Sequence, residues 1–161
     1  MRRPPRALSP QRPVYAGTYP LHVRVLIVFD GSPESEAALQ WATKLEGCDA
    51  TVLGVRPKRP VGRGYRGRSN PEPVGYASSA QLEQAVSTLS KAGVAANLID
   101  KEGTLGPDSI LEVAAGDAFD LIVLAIYRQS WLNRLLFGSK AESVARDASV
   151  PVLLVRLPAG K

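Results

Sequence analysis

A doubly wound α/β domain, an open five-stranded parallel sheet with helices on both faces, is the fold class this sequence predicts. Three observations predict it. Val23 to Phe29 (VRVLIVF) and Leu121 to Ile126 (LIVLAI) are nearly continuous, β-branched apolar runs of the kind buried on both faces of a parallel sheet. Segments with helical apolar spacing separate the strand-like runs, giving the order β-α-β-α-β-α-β-α-β. No hairpin signal joins consecutive strands, so each must return by a crossover. With 161 residues, 45% hydrophobic and 22% charged, the chain is long enough for one buried core and too short for a second domain of this kind.

The elements follow in order. After Val23–Phe29, Asp30-Gly31-Ser32-Pro33 ends the strand: Ser32 suits an N-cap and Pro33 the first helical position, and Glu34 and Glu36 complement the positive helix end. Ala38, Trp41, Ala42 and Leu45 recur at helical spacing, predicting a helix to about Glu46 with Gly47 as its stop. Ala50 to Val55 is a second strand. Gln81 to Ala92 predicts a helix burying Leu82, Ala85, Val86 and Leu89, and Val94 to Ile99 a third strand, with Asn97 interrupting the apolar run. Pro107 and Asp108 open a helix carrying Ile110, Val113 and Ala114. Asp120 leads into the fourth strand, LIVLAI. A helix from about Ser139 to Asp147 buries Ala141, Val144 and Ala145, and Pro151 introduces the last strand, VLLVR.

Charge is unevenly placed. Residues 1–20 hold four arginines and no acid, and 57–75 (PKRPVGRGYRGRSNPEPVG) hold five basic residues and Glu72, so each segment is +4. Together they exceed the chain's net +5 by three, and the remaining residues sum to −3. The expected organisation is a disordered basic tail over 1–20 and a folded domain over 21–161 that carries a flexible basic insertion at 57–75. Single Cys48 excludes an internal disulfide and a Cys-rich metal site, and single His22 excludes a multi-histidine one. The longest apolar run, six residues, is far below a membrane span, and Arg2-Arg3 is followed by no apolar signal region. A cytoplasmic protein is expected, with no membrane partner.

In a sheet of this type ligands bind beyond the carboxyl ends of the strands, where the strand order reverses. Asp30 follows the first strand and could hold a ribose hydroxyl, an amino group or a metal, or simply close the turn. Glu34 and Glu36 make the helix after Asp30 a poor phosphate site. The helix opened by Gly138-Ser139 is a better one, with Arg128, Arg134 and Lys140 adding positive charge. Neither a Walker lysine loop nor a GxGxxG fingerprint is present, and no general base sits beside a nucleophile in any recognisable pattern, so no catalytic residue is assigned.

VLIVFDGSPESEAALQWA at 25–42, with DLIVLAIYRQSWLNRLLFGSKAESVARDASVPVLLVR at 120–156, resembles a universal stress protein (UspA-like) domain over most of residues 23–156. The resemblance implies sheet order 3-2-1-4-5, a stress-response role, and dimerisation through Val152, Leu153, Leu154 and Val155 of the last strand. ATP-binding members carry two glycines two residues apart, then nine residues, then Gly-Ser or Gly-Thr. Here the spacing survives but Ala125 and Arg128 stand where those glycines would be, and added side chains obstruct the approach of ribose and phosphates. By resemblance, Asp30 and Val55 would meet adenine, Leu124 and Ala125 the nucleoside, and Gly138, Ser139 and Lys140 the phosphates, with Arg128 either blocking or clamping a phosphate.

The expected function is therefore a non-enzymatic, homodimeric regulator or interaction module for a protein partner, with weak or absent ATP binding. The alternative is a sensor binding ATP or AMP, with Mg, in the same cleft. A second alternative is nucleic-acid binding through the tail and the GRGYRGR stretch at 62–68; nucleic acid is the less expected partner, because the folded part is acidic.

Overall fold

The computed structural model describes residues 23–56, 76–103, 105–117, 119–126 and 139–157. The expectations placed on the basic segment 1–20, His22, the 57–75 insertion, Arg128, Arg134 and Gly138 lie outside the described residues. Five strands, β1 (Val23–Val28), β2 (Cys48–Arg56), β3 (Ala95–Glu102), β4 (Leu121–Ile126) and β5 (Val152–Arg156), alternate with α1 (Pro33–Ala42), α2 (Ser79–Lys91), α3 (Pro107–Gly116) and α4 (Ser139–Asp147). All strand pairs are parallel and the order is β3-β2-β1-β4-β5.

Alternate strand residues feed two apolar layers. Val25, Ile27, Ala50, Val52 and Val123 pack with α1 and α2 residues including Leu39, Leu82 and Leu89. Leu26, Val28, Leu53, Val55, Ile122 and Leu124 pack with Ile110, Val113 and Val144 of α3 and α4. Leu26, Ile27, Leu53, Leu82, Leu89 and Ile110 are sealed from solvent, each contributing about 1.5–3 kcal/mol by leaving water. At the amino end of the sheet, β1 and β4 are clasped: the Arg24 amide donates to Asp120 Oδ2 (2.9 Å), the Asp120 amide to the Arg24 carbonyl (2.8 Å), and the Arg24 guanidinium lies 5.3 Å from the Phe119 ring centre.

Several element ends depart from the sequence reading. α1 stops at Ala42, four residues early, because the amides of Lys44 and Leu45 turn to carbonyls three residues back and tighten the last turn. Its buried stripe is Ser35, Ala38, Leu39 and Ala42, so Trp41, expected inside, is 39% exposed. Ser35 takes the core position with its hydroxyl satisfied by the Ser32 carbonyl at 2.9 Å. α2 begins two residues before Gln81, behind a capping box in which Ser78 Oγ accepts from the Gln81 amide (3.3 Å) and the Ser78 amide donates to Gln81 Oε1 (2.9 Å). β3 starts at Ala95 and runs through polar Asp100–Glu102, which an edge strand tolerates. Ala145, expected buried, faces solvent.

Candidate functional site

The strand order reverses between β1 and β4, and a small cavity opens beyond their carboxyl ends. Its lining comes from four elements and one connection: Val28 and Asp30 from the end of β1, Ser35 from the first turn of α1, Leu124 and Ala125 from β4, Lys140 from the first turn of α4, and Leu105 ahead of α3. The enclosed space is about 20 Å³, room for one water molecule and an order of magnitude below an ordinary small-molecule pocket. The described residues therefore form the floor of a cleft.

The β1–α1 turn is tightly specified. Asp30, 9% exposed, accepts from the Ser32 amide (3.1 Å) and the Ser32 hydroxyl (2.6 Å) through Oδ1. Ser32 Oγ in turn accepts from the Ser35 amide (3.1 Å), capping α1. Asp30 thus fills the turn-closing role the sequence allowed, while still lining the cavity. Gly31 between them has φ +77°; an added Cβ would lie 2.9 Å from Gln81 Nε2 and 3.2 Å from the Ala77 Cα, so glycine lets this turn press against the start of α2. The serine–aspartate contact is chemically a cap: the hydroxyl donates to Oδ1 and accepts a helix amide, leaving it bound rather than poised for attack.

Of the residues singled out from the sequence, Asp30, Leu124, Ala125 and Lys140 are brought onto one cavity. Val55 is not on its lining; it is buried in the apolar cluster that also holds Val28, Leu105 and Leu124. Ser139 is the first residue of α4, and Arg128 and Gly138 lie outside the described residues. Ala125 is half-buried, and it packs against the α1/α2 layer as well as lining the cavity. Its methyl therefore contributes to the core. The sequence reading missed Val28, Ser35 and Leu105. Ser35 carries a signal, three residues after a serine N-cap, whereas Leu105 sits in a connection with none.

Val152, Leu153, Leu154 and Val155 lie on β5, which pairs only with β4 within the sheet, and all four are part-exposed. No group of three or more His, Cys, Asp or Glu able to hold a metal occurs among the described residues, nor does a helix long and apolar enough to cross a membrane.

Comparison with known proteins gives a consistent result. A family model described as the universal stress protein family matches residues 23–156. A universal stress protein from Thermus aquaticus, encoded in a QAH/OAS sulfhydrylase 3′ region, is 30% identical over 138 residues, 82% of this chain and 97% of the relative. The solved universal stress protein from Archaeoglobus fulgidus in complex with dAMP is 26% identical, with TM-score 0.56, over 82% of this chain and 95% of that one. The protein MJ0577 shares the fold with TM-score 0.63 at 19% identity, over 87% of this chain and 99% of that one. On sequence pattern, sheet order and these matches together, the chain belongs to the universal stress protein family.

Proposed function

We propose that this stress-response protein is a non-enzymatic homodimeric regulator whose strand-end cleft binds an adenine nucleotide weakly, with Mg in the case of ATP. The observation that carries the reading is the convergence of Asp30, Ala125 and Lys140 on one cavity at the point where the strand order reverses. Asp30 supplies an acceptor for ribose or adenine, and Lys140, on the first turn of α4, a cation for phosphate. The Archaeoglobus relative solved with dAMP supports the ligand class. Arg128, in place of a loop glycine, supports low affinity. The Ser32 hydroxyl is held as a helix cap, which supports binding without group transfer.

The test is thermal unfolding with AMP and with Mg-ATP, beside an Ala125→Gly/Arg128→Gly variant. Ligand at a hundred times its dissociation constant adds about 2.7 kcal/mol, roughly 5–10 °C for a domain of this size. The expected outcome is a wild-type shift only at high nucleotide concentration and a shift at much lower concentration in the double variant. No shift in either protein overturns the binding reading, and phosphate release from Mg-ATP above the buffer blank overturns the non-enzymatic one.

A further inference from the structure

The two edges of the sheet are built differently. β3, at one side, finishes on Asp100, Lys101 and Glu102, and charged side chains of this kind keep an edge strand from pairing with another chain. β5, at the other side, reads VLLVR, and no charged residue stands between Asp147 and Arg156. Its outward backbone groups form a self-matching set. The Ile122 amide donates to the Pro151 carbonyl, with Ile122 opposite Val152, so the amides and carbonyls of Val152, Leu154 and Arg156 point away from β4. About a twofold axis beside Leu154, an antiparallel copy of the strand sets Leu154 against itself and Val152 against Arg156, and every one of these groups finds a partner.

The strand alone is too small for a stable interface. Its five residues make an edge about 17 Å long and about 10 Å deep, several times less surface than the about 800 Å² that each partner commonly buries. The surface beside it comes from α1. This helix packs over β4 and β5, and α2 over β2 and β3, so one flank of α1 faces α2 and the other faces the β5 edge. Thr43, the C-cap, shares a cavity lining with Ala92 and Gly93 at the end of α2, which identifies the α2 flank. Trp41 lies about 160° round the helix from Thr43, on the β5 flank. The same cavity includes Cys48 and Asp49 at the start of β2, which puts the last turn of α1 at the amino end of the sheet, beside the start of β5. There Trp41 is 39% exposed, and Leu153 and Val155, on the α1 side of β5, are only partly covered.

We propose that Trp41 anchors a second copy of this chain, its indole closing one end of the groove that forms between the two α1 helices over the paired β5 strands. In the register set by Leu154, Leu153 stands opposite Val155 of the partner subunit, and Trp41 covers that pair. The twofold axis places a Trp41 at each end of the groove, and a large aromatic side chain in such a position carries a large share of binding energy. The inference rests on the homodimer reading and adds to that interface a residue from outside the strand.

The chain has two tryptophans, and Trp131→Phe leaves Trp41 as the only one. In that variant, acrylamide quenching of Trp41 fluorescence is compared between dimer and monomer, with mass followed by light scattering. The monomer is reached by dilution or, for a tight dimer, by adding Leu154→Pro, which removes an outward amide from the edge. The expected result is severalfold weaker quenching and a blue-shifted emission in the dimer. Trp41→Ser should raise the dimer dissociation constant by about tenfold or more, and Trp41→Phe by less, both with unchanged circular dichroism. A dimer in which Trp41 is quenched as in the monomer, or which Trp41→Ser leaves equally tight, overturns the proposal and leaves the homodimer reading standing. A dimer that survives Leu154→Pro places the interface elsewhere and also overturns it. A chain that is monomeric at every concentration defeats the homodimer reading and this inference with it.

Discussion

Asp30 shows how one carboxylate can serve the turn and the cleft together. Two hydrogen bonds from Ser32 hold its Oδ1 in place, and the same side chain lines the cavity beyond β1. Replacing it by alanine leaves the Ser32 cap on α1 but removes both charge-assisted bonds. Asp30→Ala should cost about 1.5–3 kcal/mol in urea unfolding and should also abolish the nucleotide-dependent thermal shift. A variant that is less stable yet shifts undiminished would confine Asp30 to the turn. Cys48 is the other informative single residue. Burial, with Asp49 beside it, raises its folded pKa above the ordinary thiol value of 9.0. The folded state therefore holds the proton more tightly than the unfolded one. The contribution to stability is complete below the unfolded pKa and is lost as pH rises through the folded pKa. Urea midpoints measured at neutral pH and above the ordinary thiol value should fall more steeply for the wild type than for Cys48→Ala. Equal falls would show that the folded thiol binds its proton no more tightly than the unfolded one.

At the level of elements, packing decides what the residue pattern leaves open. Gly54 lies in the middle of β2 where a side chain would ordinarily stabilise a strand, and the reason is α2. A Cβ there would sit 2.6 Å from Leu82 Cδ1 and closer still to Cδ2, so glycine sets how near the helix approaches the sheet. Gly54→Ala should destabilise by about 1–3 kcal/mol, and Leu82→Ala, by opening a cavity, by about 2–5 kcal/mol. Combined, they should cost clearly less than the sum, since each relieves the other's misfit; strict additivity in chemical denaturation would show that the two do not meet. The strands β4 and β5 and helix α4 were legible to the residue because their apolar runs are bounded by Asp120, Pro151 and the Gly138-Ser139 step. The ends of α1 and β3 were not. They depend on a tightened last turn and on the tolerance of a sheet edge for polar residues, neither of which leaves a periodic signal. Trp41 misled for a related reason: the buried stripe of α1 runs through Ser35, its hydroxyl satisfied by a local carbonyl, with Ala38, Leu39 and Ala42, and leaves Trp41 on the exposed side.

For the whole molecule, alternation of strand and helix was enough to specify a parallel sheet, but not the order of its strands, which came from family resemblance. That order fixes two consequences together: the cleft between β1 and β4, and an edge at β5. Asp30 and Lys140 were legible because one follows a strand and the other opens a helix, Ala125 because it stands near the carboxyl end of β4, and Leu124 through the family resemblance, while Leu105 arrives only through the folded path of the chain. The β5 edge carries the homodimer proposal, and backbone parity provides a sharp test of it. The Ile122 amide donates to the Pro151 carbonyl (3.0 Å), with Ile122 opposite Val152. In a parallel ladder the Leu153 and Val155 amides then also face β4, and those of Val152 and Leu154 face outward. Proline at 153 would break the sheet itself. Proline at 154 instead removes an outward donor and puts a ring where a partner strand would pair. Leu154→Ala, which loses the same side-chain packing but keeps the amide, is the matched control. Light scattering should find the wild type and Leu154→Ala dimeric and Leu154→Pro monomeric with its fold intact by circular dichroism. A Leu154→Pro dimer would place the interface away from this edge.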